Sequence, residues 1–111
     1  MVAQGLTPDT AVAAFCKELR RLRIRPRRIL LFGSWARQEQ HEGSDIDVLV
    51  ISPDFSGKGL RKRLELLGIA AARALVPVQA LGYTPEEFEA REPGGFLDEI
   101  LSSEVVPIDN A

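Results

Sequence analysis

The chain is expected to adopt an α/β (α+β) fold of two layers, with a small mixed sheet and helices packed on one face. Three observations support this. Two apolar runs of strand length, Ile29 to Phe32 and Ile46 to Ile51, lie close together and are separated by a polar stretch. Apolar residues recur at helical spacing before and after this pair, at Val12, Phe15, Cys16, Leu19 and Leu22 and again at Leu60, Leu64, Leu67, Ala71 and Leu75. A third apolar run, Val76 to Tyr83, follows the second helical segment and completes a strand–helix–strand unit.

A length of 111 residues suits one domain spanning 1–111, with charged residues at 27% and hydrophobic ones at 45% as in ordinary globular chains. The formal net charge of −2 argues against nucleic acid as a direct ligand, although local basic patches remain compatible with it. One cysteine excludes an internal disulfide framework and fits a reducing compartment. No apolar run approaches the roughly 18–20 residues that cross a membrane. No basic stretch followed by an apolar one opens the sequence, so the expected location is cytoplasmic.

In chain order, Thr7-Pro8-Asp9 reads as a helix start, with Thr7 as cap, Pro8 in the first turn and Asp9 favoured by the helix dipole. Cys16 falls on the apolar face of that helix and reads as a small core residue. Arg20, Arg21, Arg23, Arg25, Arg27 and Arg28 crowd its end and the turn at Pro26. Cations are favoured at a helix C-terminus, and the same cluster could meet an acidic partner or a phosphate-bearing substrate. After the 29–33 strand, a short helix is expected from Ser34 to about Gln38, then a polar loop containing His41. In the strand from Asp45 to Ile51, Ile46, Val48 and Val50 share one face, while Asp45, Asp47, Leu49 and Ile51 share the other. Ser52 to Gly59 is rich in turn formers, and the following helix is expected to pack on the sheet through Leu60, Leu64, Leu67, Ala71 and Leu75. Pro77 places the third strand at a start or an edge. Thr84-Pro85-Glu86-Glu87 forms a capping-box helix start, with Glu86 and Glu87 as helix-start charges. A helix over Phe96 to Leu101 and a short extended tail over Val105 to Ile108 close the sequence.

The chemistry concentrates between the first two strands. Gly33-Ser34 suits a tight turn whose backbone N–H groups can face a phosphate, and Ser34 is expected to cap the short helix that follows. Asp45 and Asp47 are two residues apart, so in a strand they share a face at roughly 6.5–7 Å. Their carboxylates would repel unless a cation sat between them, and oxygen ligands at that spacing suit Mg²⁺. Arg37, one turn after Ser34, could approach a bound triphosphate.

Gly33-Ser34, ten residues, then Asp45-x-Asp47 resembles the signature of the DNA polymerase β-like nucleotidyltransferase superfamily. Gly33-Ser34-Trp35-Ala36-Arg37, Gly43-Ser44-Asp45-Ile46-Asp47-Val48 and Tyr83-Thr84-Pro85-Glu86-Glu87-Phe88 resemble its small stand-alone members. These are the minimal nucleotidyltransferases often paired with HEPN-domain proteins. The resemblance implies a Mg²⁺-dependent enzyme that takes ATP or another NTP and moves a nucleoside monophosphate to an acceptor hydroxyl. It implies Asp45 and Asp47 as metal-holding catalytic residues, and Gly33, Ser34 and Arg37 as nucleotide contacts. The implied partner is a small helical HEPN-type toxin, this chain being its antitoxin. Two departures stand out. Gln38 replaces the glycine most common after Ala-Arg, and Gln79 occupies the position of a third carboxylate, about five residues before Thr84-Pro85. A neutral amide can neither take a proton nor balance metal charge. The alternatives are a nucleotide-binding partner module with weakened catalysis and a small-molecule nucleotidyltransferase.

Overall fold

The structure, a computed structural model, describes residues 7–108. Residues 1–6, on which the expectation of no secretion signal rests, lie outside them. Helix α1 (Pro8–Arg21) is followed by strand β1 (Arg28–Phe32), a single turn of helix α2 (Gly33–Ala36) and strand β2 (Ile46–Ile51). A 3-10 turn at Pro53–Phe55 leads into α3 (Leu60–Ala74), then β3 (Val78–Tyr83), α4 (Pro85–Glu89), α5 (Phe96–Leu101) and β4 (Val106–Ile108). The sheet order is β3-β2-β1-β4, with β2 and β3 parallel and the other two pairings antiparallel. The sheet is therefore mixed, as expected, and the 105–108 tail is its fourth strand.

Local chemistry accounts for the ends of the elements. The Thr7 hydroxyl accepts from the Thr10 N–H, and the Thr10 side chain accepts from the Thr7 N–H, so α1 begins with a reciprocal cap around Pro8. Thr84 and Glu87 form the same arrangement at the start of α4. The alternation along β2 divides the core in two. Ile46, Val48 and Val50 join Val12, Phe15, Cys16 and Leu19 of α1 with Leu67 and Ala70 of α3 on one face. Leu49 and Ile51 join Leu30, Phe88 and Leu97 on the other. The two long helices thus lie on one face, and the short α4 and α5 cover part of the other. No helix among the described residues is long and apolar enough to cross a membrane.

Helix α3 packs differently from expectation. Leu67 is buried, but Leu60 and Leu75 are 69% and 89% exposed, and Leu64 is also exposed. The inward face is centred on Arg63, Leu67 and Ala70 instead. Arg63 sets this rotation. Its guanidinium donates to Glu87 Oε1 and Oε2 at 2.6 and 2.9 Å and to the carbonyls of Lys58 and Gly82. It also lies 5.7 Å from the centroid of the Phe55 ring. A buried arginine with so many of its donors satisfied can occupy a core-facing position that a hydrophobicity pattern assigns to leucine.

Glu87 is held below the ordinary carboxylate range, first by hydrogen bonding to Arg63. A depressed folded-state value contributes stability above the unfolded carboxylate range, and that contribution disappears as the pH falls through the folded value. Replacing Arg63 with Ala should cost about 1–3 kcal/mol at neutral pH, as for hydrogen bonds to charged groups. Urea denaturation should show the gap between wild type and variant narrowing below about pH 4; a pH-independent gap would show that packing, not the ion pair, fixes α3.

Candidate functional site

The β1–β2 register pairs Phe32 with Asp47, so Gly33, the next residue along, lies beside Asp47. Gly33 has φ 76°, a left-handed value, and its missing side chain is required by its neighbour as well. A Cβ there would collide with Asp47 Oδ2 and stand 3.1 Å from its Cγ. The glycine therefore opens the space into which the Asp47 carboxylate projects. Helix α2 begins at Gly33, with Phe32 in the cap position and no capping side chain. Ser34 is not its cap; it lies within the first turn, half-buried, because the tight Gly33 turn starts the helix one residue earlier than expected.

Asp45 lies immediately before β2 rather than within it, and is exposed. Its charge still reaches Asp47, whose carboxyl is raised above its ordinary value chiefly by burial, then by Asp45, with Arg37 opposing. Arg37 is exposed and paired with Glu39 at 3.0 Å. Two side-chain contacts fix the loop between the glycine turn and the aspartates. Trp35 Nε1 donates to the Ser44 carbonyl at 3.4 Å, and the Ser44 hydroxyl accepts from the His41 N–H at 2.8 Å. Gln38 holds φ 59°, a left-handed value on a residue that carries a side chain.

In the parallel β2–β3 register Gln79 stands directly opposite Asp47. Asp47, Gln79, Leu81, Phe32 and Phe96 line an open groove of about 590 Å³ that continues over β3 to Leu64, Gly68 and Ala71 of α3. Gly33, Ser34, Asp47 and Gln79 thus converge at one end of the sheet, with Asp45 and Arg37 close enough to act on Asp47 electrostatically. Sequence reasoning did not single out Trp35 or Phe96; only the ten-residue spacing between Gly-Ser and Asp-x-Asp hints that Trp35 would have a loop to close. The donor set fits a hard divalent cation, being two carboxylates with the glycine-opened space beside one of them. No group of three or more His, Cys, Asp or Glu side chains suited to a metal ion occurs among the described residues.

The family model of the nucleotidyltransferase domain matches residues 12–105. This chain is a member of that family. It is accordingly a nucleotidyltransferase, with the polymerase β-like fold that its sheet and helices display. Two solved structures share the architecture. One, a protein from Sulfolobus solfataricus assigned to the nucleotidyltransferases, is 15% identical with a TM-score of 0.54, covering 79% of this chain and 84% of its own. The other is a toxin–antitoxin structure with AMP-PNP, 21% identical with a TM-score of 0.58, covering 89% of this chain and 73% of its own. At these identities they establish the fold alone. No curated protein matches the sequence.

Gly33→Ala and Gly43→Ala separate strain from collision. Gly43 has φ 88°, and nothing lies within 4 Å of the place its Cβ would take, so alanine there should cost only the left-handed penalty, about 1 kcal/mol. Gly33→Ala should cost more, and in an Asp47→Ala background its cost should fall toward that of Gly43→Ala without reaching it, because the Cβ of residue 47 stays 3.2 Å from the added methyl. Equal costs at the two glycines in the wild-type background, by urea denaturation, would remove the proposed contact.

Proposed function

We propose that this nucleotidyltransferase binds an NTP, ATP by preference, with Mg²⁺ at the Gly33–Asp47 end of the sheet and transfers its nucleoside monophosphate to an acceptor hydroxyl. The observation that carries this reading is the contact of Gly33 with Asp47, which joins a turn suited to phosphate and a carboxylate suited to a cation in one space. Asp45 and Asp47 would hold the cation, and Gly33 N–H, Ser34 and Arg37 would hold the β- and γ-phosphates. A divalent cation bound there offsets negative charge that builds up during transfer. The acceptor oxygen attacks the α-phosphorus and forms the new P–O bond, the α–β bridging P–O bond breaks, and pyrophosphate leaves with that electron pair.

The acceptor proton is the step that this chain's residues serve least. Gln79 faces Asp47 from the neighbouring strand, where its carboxamide can donate and accept hydrogen bonds but cannot take a proton. The base is then a group of the partner or solvent. General-base assistance is commonly worth ~10²–10⁴ in rate, so transfer should be slow until a partner completes the site. The architecture shared with a toxin–antitoxin structure supports a protein partner, and a HEPN-type toxin is the partner we infer.

Two experiments test this. By calorimetry, ATP should bind measurably only with Mg²⁺ or Mn²⁺, and Asp45→Asn with Asp47→Asn should abolish that metal dependence. Equal affinity with and without divalent metal in the wild type would refute the site assignment. Gln79→Asp places a third carboxylate opposite Asp47 and should raise transfer of labelled AMP to the partner by at least ~10-fold, the low end of general-base effects with a discount for imperfect geometry. Brisk transfer by the wild type that Gln79→Asp leaves unchanged would remove Gln79 from the site. No transfer by either protein with its partner present would favour a nucleotide-binding module without catalysis.

A further inference from the structure

The six arginines at positions 20, 21, 23, 25, 27 and 28 lie at the end of the sheet away from the Gly33–Asp47 site. Arg28 opens β1 and Phe32 closes it, so four residues of strand, roughly 13 Å, separate the nearest arginine from the site end. The cluster is therefore too remote to hold a triphosphate placed between Gly33 and Asp47. Several of its members are engaged by the fold. Arg21 pairs with Glu18 at 3.5 Å, Arg25 pairs with Asp54 at 3.1 Å, and Arg28 stacks 5.3 Å from the centroid of Phe88. Asp54 Oδ2 also accepts the Arg25 backbone N–H at 2.8 Å, which fixes the turn that follows Arg23, itself held at φ 67°. Arg23 and Arg27 are exposed and make no ion pair with the described residues, and Arg20 is exposed beside them. Arg20, Arg23 and Arg25 line an open cleft of about 440 Å³ with Asp54 at its wall.

Six arginines against the two acids Glu18 and Asp54 make this surface strongly positive on a chain whose net charge is −2. Such asymmetry attracts a complementary acidic surface and raises its rate of encounter. We propose that the Arg20–Arg23–Arg27 surface docks an acidic segment of a protein partner. Docking there leaves the Gly33–Asp47 end open to nucleotide, so the partner is held without blocking the site. The interleaved acids favour a protein over nucleic acid. A partner chain can place its carboxylates against the arginines and neutral groups against Asp54, whereas a continuous phosphate backbone would run past Asp54 and Glu18 as well. The cluster also offers no exposed aromatic face for base stacking, Phe88 being buried beneath Arg28. This proposal stands apart from the transfer chemistry and can fail without it.

The test uses the full chain and two fluorescent probes of equal charge in fluorescence anisotropy. One is a peptide of ten glutamates alternating with ten serines; the other is an oligouridylate with ten phosphates. The variant Arg20→Ser/Arg23→Ser/Arg27→Ser spares Arg21, Arg25 and Arg28 with their contacts, and its thermal unfolding checks that it is intact. At low salt the wild type should bind the peptide about 10-fold more tightly than the triple variant, the effect of three exposed charge pairs discounted for their mobility. Arg61→Ser/Arg73→Ser, which removes two exposed charges from α3, should leave peptide binding unchanged. Peptide affinity should fall steeply as salt rises toward 0.15 M, where screening acts within roughly 8 Å. Equal peptide binding by wild type and a folded triple variant would overturn the proposal. An equal loss in the α3 variant would overturn it by showing non-specific attraction. Tighter binding of the oligouridylate than of the peptide would overturn it in favour of a nucleic-acid surface.

Discussion

The antiparallel register of β1 on β2 is the constraint on which the rest of the molecule depends. By setting Phe32 opposite Asp47, it brings the glycine turn after one strand against a carboxylate of the other. A slip of one residue would turn Asp47 into the core occupied by Ile46 and Val48, and would move those side chains to the face of the groove and the second core. The two apolar faces of β2 thus enforce the register, and the register builds the site. Hydrophobic burial and chemistry are coupled here: the same alternation that seals the core under α1 and α3 projects Asp47 into the groove.

The parallel pairing of β3 extends this logic. It puts Gln79 opposite Asp47 and leaves β3 as an edge strand, over which the groove passes toward α3. The other end of β3 is held by the Arg63–Glu87 pair, which ties α3, the Gly82 carbonyl and the start of α4 together. The sheet is therefore asymmetric along its strands. One end carries carboxylates and a phosphate-suited turn; the other carries the arginine-rich turn braced by Asp54. Separating opposite charges in this way keeps the arginines from neutralising Asp45 and Asp47.

Much of this is legible in the sequence, and the reasons are physical. The Thr7 cap and the Thr84–Glu87 capping box are readable because Thr-Pro starts carry their hydrogen-bonding partners within three residues, although the reciprocal bond from Thr10 at the first of them is a finding of the structure. The β2 alternation is readable because period two is unambiguous over six residues. The Gly-Ser and Asp-x-Asp pair is readable because its chemistry depends on residue type, whereas the place of Gln79 opposite Asp47 follows from the β2–β3 register. What fails depends on distant partners. The inward face of α3 is misread because Leu60, Leu64 and Leu75 outweigh Arg63 in any hydrophobic pattern, and nothing local announces Glu87 as the partner that lets Arg63 turn inward. The Ser34 cap fails because the helix starts a residue early, at Gly33 with its positive φ. The arginine cluster is visible as a charge run, but its distance from the site follows only from strand direction.

The most direct test of the central claim is anomalous diffraction from crystals grown with Mn²⁺ and a non-hydrolysable ATP analogue. The account predicts a metal peak in direct contact with Asp45 and Asp47, with the β- and γ-phosphates against Gly33 and Ser34. A nucleotide bound at the arginine cleft, or a metal peak away from both aspartates, would contradict it.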